Sequence, residues 1–93
     1  MYTFYVNGFH WDKSNGNHIA QHGVSEAEFE EAATDPQRVS FSAHSGNLGY
    51  IGKTAEGRVL VVILQRLAKH TWRPVTARDS SPKEKKSYRR RIK

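Results

Sequence analysis

Polar capping residues and apolar positions between residues 24 and 36 are arranged as in a helix with defined ends. Ser25 is an N-cap candidate, and Glu28 stands where a capping box requires a carboxylate. Val24 before the cap and Phe29 after it have the spacing of a hydrophobic staple. The sequence Thr-Asp-Pro at residues 34–36 should end the helix, because the residue before a proline is pushed out of the α region.

A weaker helical segment precedes this one. Asp12 can cap a helix that continues to about His22, and Gly23 then supplies the left-handed residue that often follows a helix C-terminus. Ser14 and Gly16 lower the helix propensity, so this helix has to depend on tertiary packing. The pattern therefore predicts two helices, joined by a short turn, near the start of the domain.

The middle of the chain has the shorter hydrophobic period of β-strands, interrupted by turn residues. Strands are predicted over residues 3–6, 38–42, 48–54, 59–64 and 70–77, with turns at 44–47, 54–58 and 67–69. Gly57 is suited to a positive φ angle in the second of these turns.

The sequence also indicates where two of these strands lie in the sheet. The run from Val59 to Leu64 has no polar face, so it should be a central strand that is covered on both sides or nearly so. Pro74 cannot donate a ladder hydrogen bond, which favours an edge position or a bulge in the last strand. Regular alternation would place Arg73 on the same face as Ala77, although a bulge at Pro74 would reset this phase.

A basic helix is predicted at the end of the chain. Ser81 can cap it, Pro82 fits the first helical position, and Glu84 completes a second capping box. Tyr88 and Ile92, four residues apart, give it a narrow apolar stripe. The remaining positions of the helix are basic, at Lys83, Lys85, Lys86, Arg89, Arg90, Arg91 and Lys93.

Charge separates the chain into two halves. Residues 1–40 carry two basic and six acidic side chains, a net charge of −4, whereas residues 41–93 carry thirteen basic and three acidic ones, a net charge of +10. A basic half of this size favours a polyanion as partner over a merely solvated surface. With 93 residues, the chain is expected to form one domain over residues 1–93.

Several classes of protein are disfavoured by the same sequence. We expect neither a membrane span nor a secretory signal, so a cytoplasmic location is the expectation. The chain has no cysteine, and His18 and His22 lack a third nearby ligand, so we expect no metal and no cofactor. The glycines around Gly49 match no phosphate-binding loop, and no nucleophile elbow surrounds a serine.

The basic residues then become the candidates for chemistry. RNA can be cleaved without metal when one group deprotonates the ribose 2′-hydroxyl, cations stabilise the pentacoordinate phosphate and an acid protonates the leaving oxygen. Arginine suits the second task because its fork binds phosphate at two points, and His44 or Tyr88 could supply the acid or base. From composition alone we favour phosphate anchoring, or salt bridges to the acidic helices, without catalysis. The cations considered on strands and their ends are Lys53, Arg58, Arg66, Arg73 and Arg78.

Residues distributed over about 9–92 resemble the BrnT toxins, the ribonuclease halves of bacterial type II toxin–antitoxin pairs. Together the pieces are fairly specific, above all His-Gly-Val followed much later by Thr-Ala-Arg and Glu-x-x-x-Tyr. In order, they are Trp11-Asp12, Asn17, His22-Gly23-Val24, the acidic segment 26–31, Gly52-Lys53-Thr54, Gly57-Arg58-Val59-Leu60, Arg73-Pro74-Val75-Thr76-Ala77-Arg78, Glu84 and Tyr88.

The resemblance implies an α+β domain with a RelE-like fold: two N-terminal helices, a curved antiparallel sheet of about four strands and the C-terminal basic helix. It also implies metal-independent RNA cleavage that halts translation, and a BrnA-type antitoxin as partner, through which alone we expect contact with DNA. Arg73 and Arg78 carry over as phosphate-stabilising residues, and Arg58, Glu84 and Tyr88 carry over less surely, with Glu84 favoured as a helix cap. Further RNA contacts are expected at Lys53, Arg66, Lys85, Arg89, Arg90 and Arg91.

The chain also departs from the family pattern. Many relatives have a basic residue immediately before the aromatic at Tyr50, where this chain has Gly49. The loop at residues 43–47 is short, and Pro74 follows Arg73 directly. The alternatives to an active toxin are a non-catalytic RNA-binding or interaction module, and a toxin that has lost its activity and serves as a partner or regulator.

Overall fold

A computed structural model describes residues 8–91, which form an α+β domain with three helices and a four-stranded antiparallel sheet. The predicted α+β class and antiparallel sheet are therefore confirmed, whereas the strand predicted at residues 3–6 lies outside the described residues. The helices are α1 (Lys13–Gln21), α2 (Glu26–Ala33) and α3 (Pro82–Arg91). The strands are β1 (Val39–Ser42), β2 (Leu48–Lys53), β3 (Val59–Ala68) and β4 (Thr71–Asp79), and they are ordered β1-β2-β3-β4 in the sheet.

The two N-terminal helices begin at the predicted caps. The Asp12 side chain accepts a hydrogen bond from the Asn15 N–H at 2.8 Å, and the Asn15 side chain accepts one from the Asp12 N–H at 2.9 Å. Ser25 and Glu28 form the same reciprocal pair at the start of α2. Gly23 has a φ of 76° in the turn between the helices, as predicted for a residue in the left-handed region.

The first two helices cover one face of the sheet, which we call the helix face. Ile19 of α1 and Phe29 of α2 are fully buried there against Leu60, Val62 and Leu64 of β3. Helix α2 approaches β2 so closely that a Cβ on Gly52 would lie 2.0 Å from the Ala32 carbonyl oxygen. A larger residue at position 52 would therefore separate α2 from the sheet.

The opposite face of the sheet is covered only in part. Tyr88 of α3 packs there against Ile51 and Val61, with Val39, Val59 and Ile63 around them. The predicted central position of β3 is confirmed, and the strand contributes apolar side chains to both cores, although on the open face Val61 is buried whereas Val59 and Ile63 are only half-buried. Helix α3 contacts β1 and β2, so much of the β3–β4 side of this open face is left without a covering helix.

Strand β4 lies at one edge of the sheet and contains a bulge, as the position of Pro74 predicts. Pro74 is paired with Leu64 but Thr76 with Ile63, so Val75 is the extra residue. The outer edge of the strand is partly capped by α1, since the Asn15 side chain donates to the Pro74 carbonyl oxygen at 3.0 Å.

The turn predicted at residues 67–69 is wrong. Strand β3 continues to Ala68, which pairs with Thr71, and the turn lies at residues 69–70. Gln65 and Arg66 have the polarity of a strand end, but ladder pairing with β4 continues through them while their side chains are exposed. Arg66 also stacks its guanidinium over the ring of Trp72, 5.6 Å from the ring centroid, across the two strands.

Candidate functional site

The bulge in β4 determines which side chains share the open face. Arg73 pairs with Gln65 and Arg78 with Val61, and residues paired across a sheet point to the same side. Arg73 and Arg78 are five residues apart, so a regular strand would place them on opposite faces. The extra residue at Val75 brings both onto the open face. Arg73 therefore does not share a face with Ala77, as regular alternation would have required.

Arg78 is held in a two-point ion pair with Glu84. Its Nη1 donates to Glu84 Oε1 and its Nη2 donates to Glu84 Oε2, each at 2.8 Å. The hydrogen bond from Arg78, assisted by bonds from Ser81, lowers the pKa of Glu84 to about 2. The same contact raises the pKa of Arg78 above its usual value. Glu84 also forms the predicted capping box, since it accepts from the Ser81 N–H at 2.7 Å.

One edge of the Arg78 guanidinium remains available to a ligand. Glu84 and the Asp79 carbonyl oxygen occupy Nη1 and one hydrogen of Nη2. Within residues 8–90 nothing accepts a hydrogen bond from Arg78 Nε, and the side chain is 54% exposed. Because arginine has five N–H donors in a flat fork, the edge made by Nε and Nη2 can bind an anion while the other edge holds Glu84.

A pocket of about 210 Å³ opens beside Arg78 on the open face. Its apolar wall comes from the sheet, while charged and polar side chains stand at its margin. The residues that line it are His22, Phe41, Val61, Ile63, Thr76, Ala77, Arg78 and Glu84. Four separate parts of the chain therefore meet at one hollow: the end of α1, strand β1, the β3–β4 pair and the start of α3.

Arg73 lies further along β4 and is also paired with a carboxylate. Its Nη2 is 3.1 Å from Oδ2 of Asp12, the N-cap of α1. The backbone N–H of Asn15 and the charge of Arg73 keep the pKa of Asp12 below its usual range. A shallow hollow next to Arg73 is lined by Ser14, Asn15, His18, Gln65, Arg73, Pro74 and Val75.

Two histidines near the end of α1 approach the same region. The His18 and His22 rings are 5.0 Å apart in an edge-to-face arrangement, and His18 Nε2 is 3.2 Å from Thr76 Oγ1. Among the described residues, no group of three or more His, Cys, Asp or Glu side chains is placed to hold a metal ion. In the sequence, His22 was considered as a metal ligand, as the end of the first helix and as part of the His-Gly-Val motif, but not as a group for RNA chemistry. Its position beside Arg78 depends on tertiary folding, which the spacing in the sequence does not encode.

Arg58, another predicted site residue, joins three parts of the scaffold. Its guanidinium binds Asp79 at 2.9 Å, Glu28 at 3.2 Å and the Gly23 carbonyl oxygen at 2.8 Å. The hydrogen bond to Asp79 is the main cause that raises the pKa of Arg58. These contacts tie the β2–β3 hairpin to the end of β4 and to the turn between α1 and α2.

Tyr88 projects from α3 onto the sheet and does not line the pocket. Only 2% of its surface is exposed, and its hydroxyl donates to Asp35 Oδ2 at 2.5 Å. Burial and the neighbouring Asp35 carboxylate raise the pKa of Tyr88 to about 12. Burial disfavours the charge on Asp35, but hydrogen bonds from Tyr88 and from the Gln37 and Lys53 N–H groups hold its pKa below the usual value.

The other predicted residues are more widely distributed. His44 lies in the 3₁₀ turn between β1 and β2, and its side chain is exposed. Lys53 ends β2, Arg66 stacks on Trp72, and Lys85 is partly buried on α3. Arg89 and Arg90 are exposed on α3, and the side chain of Arg91 lies outside what the structure describes.

Gly49, where many relatives have a basic residue, lies under an aromatic ring. It pairs with Phe41, and a Cβ at this glycine would be 2.4 Å from Cζ of that ring. Phe41 was not singled out as a site residue in the sequence. A signal was present, since an exposed aromatic opposite a glycine in the adjacent strand is a common way of seating a ring on a sheet.

In the described part of the chain, no helix has the length and apolarity needed to cross a membrane. Among curated proteins, none matches the chain. A family model described as ribonuclease toxin, BrnT, of type II toxin–antitoxin system matches residues 11–84, which include Arg58, Arg73 and Arg78. Since the match extends over most of the sequence, the chain belongs to the BrnT family, the ribonuclease toxins of type II toxin–antitoxin systems.

Proposed function

We propose that this protein is an active toxin that cleaves RNA without a metal ion on the open face of its sheet. Cleavage blocks translation in the cytoplasm until a BrnA-type antitoxin covers that face, and the fold is related to that of the RelE-like toxins. The observation that carries the proposal is the bulge at Val75, which places Arg73 and Arg78 on the same face of the sheet, where Arg78 lines the pocket of about 210 Å³ and Arg73 lines a separate hollow further along β4. A bulge next to an active site commonly serves to redirect a side chain.

The chemistry assigned to this face is attack of a ribose 2′-oxygen on the adjacent phosphorus. The P–O5′ bond breaks, and the products are a 2′,3′-cyclic phosphate and a 5′-hydroxyl. Negative charge develops on the phosphate oxygens in the transition state, where Arg78 donates from its Nε–Nη2 edge. Glu84 fixes the guanidinium in place for this task, because it holds the opposite edge at two points.

Proton transfer is assigned to His22. It lines the same pocket as Arg78, and a histidine is the usual general acid or base in proteins. His22 accepts the proton of the 2′-hydroxyl, and the 5′-oxygen, which leaves on the opposite side of the phosphorus, takes its proton from water. Glu84 is a poor base because its pKa is about 2. His44, Tyr88 and Arg58 are outside the proposed centre, since none of them lines the pocket.

Arg73 is assigned to a neighbouring phosphate rather than the scissile one. With one residue of the segment absorbed by the bulge, Arg73 and Arg78 are separated by about 13 Å along the strand. That span suits two different phosphates of one RNA strand. On α3, the exposed Arg89 and Arg90 and the partly buried Lys85 extend the positive surface beyond this face, and Lys53 and Arg66 add charge elsewhere.

The experiment that tests the proposal is cleavage of labelled single-stranded RNA by purified protein in excess chelator. We expect cleavage to continue, with 2′,3′-cyclic phosphate and 5′-hydroxyl ends, and expression of the protein alone to arrest growth and protein synthesis. Arg78→Ala should lower the cleavage rate by about 10²–10³-fold and relieve the arrest of growth and protein synthesis. If the wild-type protein binds RNA but never cuts it, the protein is a binding module, and activity restored only by added metal would contradict the proposed chemistry.

A further inference from the structure

An aromatic side chain projects from the sheet at the edge of the Arg78 pocket. Phe41 is 37% exposed, and among the described residues only Leu67 is another large hydrophobic side chain of comparable exposure. Phe41 lies on edge strand β1 and lines the pocket together with Val61, Ile63 and Arg78. An exposed ring next to a cation that has a free donor edge can bind a ligand that combines a flat face with a negative charge.

The ring is held in place by the absence of a side chain on the adjacent strand. Phe41 pairs with Gly49, and three atoms of the ring lie within 2.9 Å of the position that a Gly49 Cβ would take. Gly49 does not have a positive φ angle, so its backbone conformation does not require glycine. The reason for glycine here is the space that the ring occupies.

We propose that Phe41, Ile63 and Thr76 form a nucleobase subsite, in which one base of a single-stranded RNA stacks on the Phe41 ring while Arg78 holds the adjacent phosphate. The proposal rests on the function proposed above and adds to it a residue that binds the substrate. Stacking on an aromatic ring tolerates any base, because every base has a π-face.

The dimensions and charge of the pocket fit this occupant. Pockets that enclose drug-sized ligands measure about 300–1,000 Å³, so a volume of about 210 Å³ suits a single flat ring. The floor is apolar at Val61 and Ile63, whereas Arg78, Thr76 and His22 supply polar groups at the margin. The apolar floor can contact the face of a base, and the cationic margin can bind the phosphate attached to it. The positive charge of residues 41–93 attracts RNA as a whole.

The test uses a labelled 2′-O-methyl RNA, which binds but has no free 2′-hydroxyl for cleavage. Because one stacked base contributes about 1–3 kcal/mol, we expect Phe41→Ala to weaken binding by about 5- to 150-fold. Leu67→Ala is the matched control, since Leu67 is 48% exposed and does not line the pocket, and its affinity should equal that of the wild type. Melting temperatures of both variants establish that they are folded.

A second variant displaces the ring without removing it. A Cβ in Gly49→Ala would overlap the outer end of the Phe41 ring, and an exposed ring on an edge strand can turn away. This variant should therefore bind the RNA as weakly as Phe41→Ala, with stability equal to or above that of the wild type, since alanine is favoured over glycine within strands. The double variant should bind no more weakly than Phe41→Ala alone.

An abasic version of the same 2′-O-methyl strand separates stacking from phosphate binding. Wild type and Phe41→Ala should bind the abasic strand equally. Equal affinity of Phe41→Ala and wild type for the complete strand would overturn the subsite, and it would leave the function standing if the wild type still cleaves RNA. If Phe41→Ala binds the antitoxin more weakly than the wild type does but binds RNA equally well, Phe41 belongs to the antitoxin interface and the subsite is overturned. A wild-type protein that neither binds nor cleaves RNA would overturn both proposals.

Discussion

The carboxylate of Glu84 accepts two hydrogen bonds from the Arg78 guanidinium, each 2.8 Å long. The same carboxylate caps α3, because it also accepts from the Ser81 N–H. A single side chain thus connects the start of the last helix with the arginine at the pocket. The position of Arg78 depends on the ionisation of Glu84, because a neutral carboxyl group loses most of the attraction.

Stability should accordingly depend on acid pH through Glu84. Its pKa is lowered from 4.5 to about 2 in the folded protein. A group with a lowered pKa contributes stability that is complete above its unfolded value and is lost as the pH falls through its folded value. We expect the free energy of unfolding to decrease between about pH 4.5 and 2, and to decrease less in Glu84→Gln. Urea unfolding at pH 7, 4.5 and 3 measures this difference, and parallel curves for the two proteins would contradict it.

Arg78→Ala and Arg58→Ala should affect different properties. Arg78 is 54% exposed, and exposed ion pairs contribute about 0–1 kcal/mol, so Arg78→Ala should change stability little. Its cleavage rate should decrease by about 10²–10³-fold if the guanidinium stabilises the transition state. Arg58→Ala should instead lose about 1–2 kcal/mol of unfolding free energy, because the Arg58 side chain is only 30% exposed and its hydrogen bonds to Asp79, Glu28 and the Gly23 carbonyl oxygen join three parts of the fold.

The measurements are denaturant unfolding and the cleavage rate of the fraction that is folded. Arg78→Lys serves as the matched control for charge, since lysine keeps the cation but has no fork with which to bind Glu84 and a phosphate together. The assignment of Arg78 to the site fails if Arg78→Ala loses stability and activity in proportion, or if Arg58→Ala is stable and inactive.

The local signals in the sequence predicted the local structure well. The reciprocal caps at Ser25 and Ser81 and the central position of β3 follow from residues close together in the chain. The site could be predicted only in part, because which residues meet depends on tertiary structure. A bulge near Pro74 could be expected, but the face on which Arg73 lies follows only from the pairing of β4 with β3. The pocket joins His22 and Phe41 from different elements, and no spacing in the sequence encodes that contact.

His22 should be required for cleavage to a greater extent than His18. Removal of a general acid or base typically lowers a rate by about 10²–10⁴-fold, and we expect a decrease in this range for His22→Gln. His18 is the matched control, because it lies one turn earlier on α1 and contacts Thr76 without lining the pocket. Single-turnover cleavage of the same RNA measures the chemical step. Equal losses in His18→Gln and His22→Gln would indicate that the pair supports the structure instead.

The cations of α3 should contribute to RNA binding through charge alone. The logarithm of affinity for single strands decreases by about 0.7 per phosphate contact for each tenfold increase in salt. Removing Arg89 and Arg90 should therefore reduce the slope by about 1.4 and leave the unfolding free energy unchanged, since both are exposed. Lys69, in the β3–β4 turn, is a control of the same charge. A slope that is unaffected would place the RNA elsewhere.

The last prediction concerns the antitoxin. Each of the arginines on the open face already has a carboxylate partner within the chain, Asp12 for Arg73 and Glu84 for Arg78. An acidic segment of the antitoxin can use the remaining donor edges, in the way that we propose for RNA phosphates. The acidic helix α2 packs on the opposite face of the sheet, so it does not repel either ligand there.

We therefore expect a BrnA-type antitoxin to compete with RNA for Arg73, Arg78 and α3. The experiment titrates antitoxin against labelled 2′-O-methyl RNA bound to this protein, and displacement should be complete. Arg78→Glu should weaken the binding of both RNA and antitoxin. Charge reversal at Glu31 on α2 should weaken neither interaction, because Glu31 accepts from the Ala55 N–H on the other side of the molecule. Rim charges should act mainly on the association rate. A stable ternary complex in which the RNA affinity is unchanged would mean that the antitoxin inhibits from another surface, and the open face would then no longer be the expected point of neutralisation.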